Sequence, residues 1–187
     1  MNILITGVHG FVGSNLVKAL VPEHTIFGLD IVAPKKEGVK KTFFWEDLPS
    51  TNLGQTQLLD FPKIDAIIHL AGKAHDTRNK STADVYFRVN TGLTQRIFDW
   101  FLTSKSAKKF IFFSTVKSAA DRVEGEFLTE ECVPTPVGPY GESKIKAEDY
   151  IIGHFAPEAL ERPYHNFNDS DSIIKDKQVY IMRPCMI

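Results

Sequence analysis

The stretch ILITGVHGFVGSNL, residues 3–16, decides the fold. An apolar run ends at Thr6, three glycines follow at Gly7, Gly10 and Gly13, and the apolar positions then change period. Val12, Leu16, Val17 and Leu20 fall on one helical stripe over Phe11–Leu20. A strand that opens through a glycine-rich turn into a helix is the setting of a dinucleotide-binding turn. Gly7 suits a tight turn, Gly10 a close approach of backbone to a pyrophosphate, and Gly13 a close contact of helix and strand. The free amides at the helix start, around Phe11 and Val12, would face the phosphates. The spacing is G-x-x-G-x-x-G rather than G-x-G-x-x-G, so a plain tight turn stays open at this point.

The next strand narrows that choice. Thr25–Leu29 reads as a strand and runs into Asp30, about 20 residues past the turn, where an acid hydrogen-bonds both ribose hydroxyls of NAD. A carboxylate there repels a 2′-phosphate. Lys35 and Lys36 lie several residues further on, which leaves NADP as the weaker alternative. NAD is the expected cofactor.

Outward from this unit, strand and helix patterns alternate along the chain. Asn2–Thr6, Thr25–Leu29, Thr42–Trp45, Ala66–Leu70, Phe110–Ser114 and Val179–Met182 read as strands, mostly as continuous apolar runs. Such runs suit parallel strands covered on both faces. Helical stripes run through Thr82–Leu102 (Val85, Val89, Leu93, Ile97, Trp100, Phe101) and Tyr140–His154 (Ile145, Ala147, Tyr150, Ile151). The pattern predicts an α/β fold, a doubly wound parallel sheet with helices on both faces. We read residues 1–187 as a single domain, with Asp121–Pro139 as a long loop and Pro157–Lys177 as a flexible surface excursion.

Composition excludes several classes. The 187 residues are 43% hydrophobic and 24% charged, ordinary values for a globular chain, and the formal net charge of −1 leaves no footprint for nucleic acid or an anionic membrane. Cys132 and Cys185 lack metal-ligand spacing and suit reduced thiols in a cytoplasmic protein. No signal peptide or membrane-spanning apolar run is expected.

The chemistry is carried by GPYGESKIKAEDY, residues 138–150, in which Tyr140 and Lys144 share a helix face. A nearby ammonium favours the phenolate, which can take a proton from a substrate hydroxyl as hydride leaves the same carbon. The pair alone is a weak signal. Its weight comes from position, after the strand FIFFST, whose end presents Ser114 and Thr115 to hold a substrate oxygen or satisfy backbone.

Taken in order, these residues resemble the extended short-chain dehydrogenase/reductase family, and within it the NAD-dependent sugar-nucleotide epimerases and dehydratases. TGVHGFVG looks like the family's glycine-rich turn and Asp30 like its ribose-binding acid. Asp47-Leu48 looks like the adenine-contacting pair. HLAGKAH, residues 69–75, is similar to the fourth-strand signature that lines the cofactor, which brings in Leu70, Ala71, Gly72 and Lys73. Thr115, Tyr140 and Lys144 match the catalytic Ser/Thr, Tyr and Lys, Ser114 and Asn90 join the cofactor-binding set, and Arg183-Pro184 matches the strand-end pair before the substrate loop.

The resemblance implies a Rossmann-like NAD-binding domain acting on a nucleotide-sugar, a UDP-sugar first. Tyr140 takes a proton from a sugar hydroxyl, at C4, while Lys144 favours the phenolate and hydrogen-bonds the nicotinamide ribose. The keto-sugar turns over in the site and takes the hydride back on its other face. The resemblance also implies a homodimer through the helices at 82–102 and 140–154, and a substrate lobe largely absent from this chain.

Two departures refine it. The usual Asn-x-x-Gly-Thr appears as Asn90-Thr91-Gly92-Leu93-Thr94, with the glycine displaced. Thr115 is followed by Val116-Lys117 instead of the Asp-Glu of 4,6-dehydratases, which favours an epimerase or a simple dehydrogenase. A dehydrogenase of another small alcohol and a non-catalytic dinucleotide-binding module remain as rivals. Other residues carry blander readings. His69 suits a packed core histidine, and His75 and Asp76 suit a cleft mouth or a solvated loop. Ile97, Phe98, Trp100 and Phe101 suit core packing before interface, and Lys105, Lys108 and Lys109 suit a solvated helix end.

Overall fold

A computed structural model describes residues 1–48, 61–74, 81–123, 125–129, 132–161 and 172–185. Six strands, β1 (Asn2–Thr6), β2 (Thr25–Asp30), β3 (Val39–Phe44), β4 (Ala66–His69), β5 (Lys109–Phe113) and β6 (Gln178–Met182), form one sheet in the order β3-β2-β1-β4-β5-β6. The pairs within β3 to β5 are parallel. The bonds Gln178 N to Lys108 O and Ser114 N to Met182 O advance in the same direction along both chains, so β6 continues the parallel run. The order reverses between β1 and β4, the switch point of a doubly wound sheet, where ligands bind at the carboxyl ends of the strands.

The described residues cluster into two compact units. One comprises Met1–Ala71, Arg96–Phe112 and Lys177–Tyr180, and the other Gly72–Gln95, Phe113–Asp176 and Ile181–Ile187. In the first, strand alternation separates two apolar layers. Ile3, Ile5, Ile26 and Ala66 share a face and pack with Val17, Leu16 and Leu20 of α1 (Phe11–Leu20). Ile67 and His69 point the other way, in register with Phe110 and Phe112. Phe98 and Phe101 of α3 (Leu93–Thr103) lie against Phe110 with ring centroids 5.0 and 5.3 Å apart. Helices therefore cover both faces.

The strands agree with the sequence reading to within a few residues, β3 being the exception in starting at Val39, with Trp45 already in a 3₁₀ turn (Trp45–Asp47). The helix expected over Thr82–Leu102 is more irregular. It comprises α2 (Ala83–Tyr86), a π segment (Phe87–Gly92) and α3. The wider π turn rotates the inward face, so Tyr86, Asn90, Thr91 and Thr94 are buried where Val85, Val89 and Leu93 were expected. Ile97, Phe98, Trp100 and Phe101 are all buried, so the core reading holds and none of the four is free for a partner.

In the second unit, α4 (Gly138–Phe155) buries Lys144, Ala147, Glu148, Ile151, Ile152 and Phe155. Ile145 and Tyr150, expected on the inner stripe, are only half-buried. Of the expected excursion, Pro157–Glu161 is a 3₁₀ helix, residues 162–171 lie outside the described residues, and Ser172 and Lys177 are buried. Lys177 Nζ donates to Ser104 O (2.7 Å) and Ala107 O (2.8 Å). Among the described residues no helix is long and apolar enough to cross a membrane, and no cluster of metal-ligand side chains occurs.

One buried hydroxyl fastens the carboxyl ends of β1 and β4. Thr6 Oγ1 accepts the N–H groups of Leu70 (3.1 Å) and Ala71 (2.9 Å) and lies 2.6 Å from His69 Nδ1. With both lone pairs used, its proton goes to Nδ1, which fixes His69 as the neutral Nε2–H tautomer. His69 is the packed core histidine the sequence implies, stacked on Phe112 at 5.5 Å. Thr6→Val keeps the volume but orphans two amides and Nδ1; we expect a loss of about 2–4 kcal/mol in urea unfolding.

Candidate active site

The glycine-rich turn can now be read atom by atom. Gly7 has φ +68°, and a Cβ there would come within 3.0 Å of Ala71 N. A Cβ on Gly13 would lie 2.5 Å from Gly7 O and 2.9 Å from Val8 Cα, so only glycine lets α1 start this close to the turn. At Gly10 a Cβ would meet only Gly7 O, at 3.2 Å, which leaves its outer side free for a ligand. The helix begins with no side-chain cap and no acid in its first turn, so its positive end carries no competing anion. Phe11 is exposed beside it and Val12 half-buried.

Asp30 closes this cradle. Its Oδ2 accepts His9 N–H at 3.0 Å and its Oδ1 accepts Ile31 N–H at 2.8 Å, which sets the carboxylate at the end of β2 beside the turn. Asp47 Oδ2 accepts Phe44 N–H at 2.8 Å and so holds its own 3₁₀ turn, Leu48 is buried, and Leu70 and Ala71 follow β4. These residues fit a dinucleotide by an open backbone cradle, an uncapped helix start and a placed acid.

The second unit gathers the remaining expected residues. Asn90, 1% exposed, grips the backbone of Lys73 from both ends: Oδ1 accepts Lys73 N–H (2.6 Å) and Nδ2 donates to Lys73 O (3.1 Å) and to Ser143 Oγ (2.9 Å). Gly72 precedes this grip. The displaced glycine ends the π segment, whose Asn90 O accepts the hydroxyl of Thr94 in α3 (2.6 Å) and whose Thr91 hydroxyl donates to Ser143 O (2.9 Å). His75 and Asp76 lie outside the described residues.

Tyr140 is half-buried on the first turn of α4, edge-on to Tyr86 at 6.5 Å. Lys144, one turn on, is buried and donates from Nζ to Phe113 O at 2.7 Å. Burial pushes its pKa down to about 8, partly offset by the charge of Glu148. Thr115 Oγ1 accepts Lys117 N–H (3.3 Å) at the start of the 3₁₀ turn Val116–Ser118. Lys117 pairs with Asp121 at 2.6 Å on the surface; that hydrogen bond, and then its charge, hold the Asp121 carboxyl below its ordinary pKa.

Sequence reasoning missed Glu148. It is fully buried in α4, its Oε2 taking Arg183 Nε (3.0 Å) and Nη2 (2.6 Å) and its Oε1 taking the hydroxyls of Ser118 (2.6 Å) and Ser114. Ser114, expected on the cofactor, is therefore also a donor to this carboxylate. The available signal was an acid placed i+4 from Lys144 on a face continued by Ile151, Ile152 and Phe155.

A doubly wound sheet, a glycine cradle with an acid at the end of β2, and a tyrosine one turn before a buried lysine define a dinucleotide-binding protein of short-chain dehydrogenase/reductase type. Residues 3–158 match the NAD dependent epimerase/dehydratase family, and the chain belongs to it. NAD is its cofactor. UDP-glucose 4-epimerase of Streptococcus mutans is 27% identical over 154 residues, 79% of this chain and 45% of that protein. UDP-glucose 4-epimerase of Vibrio cholerae is 28% identical over 169 residues, 86% of this chain and 49% of that one. The solved UDP-glucuronic acid 4-epimerase from Bacillus cereus, in complex with UDP-glucuronic acid and NAD, shares the fold. Its TM-score is 0.65 at 24% identity, over 98% of this chain and 56% of its own. The chain spans about half the length of the curated relatives it matches.

Lys144 gives this site a pH signature. The unfolded chain holds the proton up to 10.5 and the folded protein only to about 8. Between those values folding releases a proton, so the contribution of Lys144 to stability rises with pH and is lost again as the pH falls back to about 8. Relative to Lys144→Met, the wild type should gain roughly 3 kcal/mol across that window in denaturant titrations.

Proposed function

We propose that this chain supplies the cofactor-binding and proton-transfer part of a nucleotide-sugar 4-epimerase, with a UDP-hexose as the substrate. The observation that carries the reading is the buried lysine one turn beyond Tyr140, a costly arrangement for a cation unless its charge is used. The similarity to UDP-glucose 4-epimerases supports it, as does the sequence after Thr115. There Val116 and Lys117 stand in place of an acid pair that could eliminate water, and Lys117 is already paired with Asp121.

In this reading Tyr140 accepts the proton of the C4 hydroxyl and later returns it. The Lys144 charge favours the phenolate. Thr115 orients the sugar oxygen with its hydroxyl proton, since its oxygen already accepts Lys117 N–H. When bound, NAD supplies the hydride acceptor and, on the return step, the donor. The cradle of Gly7, Gly10 and Gly13 and the amides of Phe11 and Val12 would hold its pyrophosphate, and Asp30 its ribose hydroxyls.

Two measurements test this. NAD should raise the melting temperature more than NADP at equal concentration; no shift with either removes the cofactor reading of the cradle. In a full-length protein that carries this chain together with a substrate lobe, UDP-glucose and UDP-galactose should interconvert without net NADH, and Tyr140→Phe should lower kcat at least about a hundredfold while leaving the NAD-induced melting shift in place. Net NADH accumulation would point instead to a dehydrogenase.

A further inference from the structure

We infer that Glu148 is a positioning residue for the proposed proton transfer, a buried counter-charge that keeps Lys144 cationic and fastens Ser114 and Arg183 to the helix carrying Tyr140. Its meaning rests on the proposed reaction; its test does not.

The carboxylate is held by side-chain donors on both oxygens. Arg183 brings two N–H groups to Oε2 from just beyond the end of β6, and Ser114 and Ser118 bring hydroxyls to Oε1 from just beyond the end of β5. A carboxylate offers about four acceptor positions; Arg183 and Ser114 occupy three, and Ser118 shares its one hydroxyl proton between the fourth and Thr115 O. Ser118 Oγ also lies 2.7 Å from Thr115 O, which links Glu148 through one hydroxyl to the backbone of the expected catalytic threonine. Tyr140, Lys144 and Glu148 are spaced by four residues on one helix. A change in the Glu148 rotamer would therefore act on both ends of the proposed chemistry.

Among the described residues, the charges around this cluster are few. Arg183 faces Glu148 from the β6 exit, and Lys144 shares its helix face. The elements packed on α4 offer the half-buried Lys117, turned to Asp121, the buried Tyr86, and the exposed Asp84, Arg88, Glu158 and Glu161, and α4 itself adds the half-buried Tyr140 and Asp149. One buried carboxylate thus serves two buried or half-buried cations. Without it, Lys144 would meet desolvation and the like charge of Arg183 together, and both favour the neutral amine. A neutral amine gives Tyr140 no electrostatic help at neutral pH.

The test uses the whole chain with no NAD or substrate, labelled with ¹³C at lysine Cε and titrated from about pH 6 to about 11. The Lys144 resonance, identified by its loss in Lys144→Met, should titrate at about 8 in the wild type. In Glu148→Gln its midpoint should fall by at least about one pH unit, a tenfold loss of the ammonium form near pH 8, and Glu148→Asp should restore most of it. A folded Glu148→Gln protein with an unchanged Lys144 midpoint overturns the inference. Should Glu148→Gln fail to fold, the wild type labelled with ¹³C at glutamate Cδ decides. The Glu148 signal must move as Lys144 loses its proton, and must lose that inflection in Lys144→Met; a flat response overturns the inference. Failure of the epimerase assay leaves both titrations standing, so the two ideas fail separately.

Discussion

A helix that turns a lysine and a glutamate inward has to find partners for both, and α4 is organised around that demand. An unpaired ion in such surroundings costs several kcal/mol, and removing one partner of a buried pair typically costs about 3–5 kcal/mol. The sequence around α4 answers with Phe113 O for Lys144 and with Arg183, Ser114 and Ser118 for Glu148. Each of those groups lies just at or beyond the carboxyl end of a strand. Satisfying the helix therefore determines where the strand ends sit, and Thr115 is placed as a consequence.

The same logic recurs at smaller scale. Thr6 uses all of its hydrogen-bonding capacity to hold the turn after β4, and Asn90 spends its amide on the backbone of Lys73. Thr6 has no hydrogen-bonding capacity left for a ligand, and Asn90 has both amide N–H groups engaged. What they hold is backbone: Leu70 and Ala71 in one case, Lys73 in the other. Asp47 is similar, since one of its carboxylate oxygens is occupied by Phe44 N–H. Residues matched to a family motif thus fasten the backbone after β4.

Much of the fold was legible because strand periodicity and glycine spacing are local properties. β1, the turn at Gly7 and α1 follow from fourteen consecutive residues, and Asp30 from its distance to them. The π segment was not legible, since the groups its Asn90 and Thr91 bond, on Lys73 and Ser143, are distant in sequence. α4 was located correctly but its inner face was misjudged. A stripe search looks for apolar residues, and this face is partly polar through Ser143, Lys144 and Glu148. A local reading therefore loses accuracy where buried polar groups replace apolar ones, and those are the places where a folded chain keeps its chemistry.

The buried cluster also bears on how the chemistry could be switched. Arg183 is the first residue after β6, and it is 20% exposed in its side chain while Glu148 is fully buried. Any segment or ligand that repositions the chain at Pro184 pulls on Arg183, and through Glu148 on the helix of Tyr140 and Lys144. Val116 N–H donates to Pro184 O at 3.1 Å, so the same displacement also reaches the turn that begins at Thr115. Two independent bonds, one ionic and one backbone, thus connect the exit of β6 to the residues proposed to move the proton. Glu148 and the backbone bond from Val116 to Pro184 tie the exit of β6 to the helix of Tyr140 and Lys144 and to the turn after Thr115.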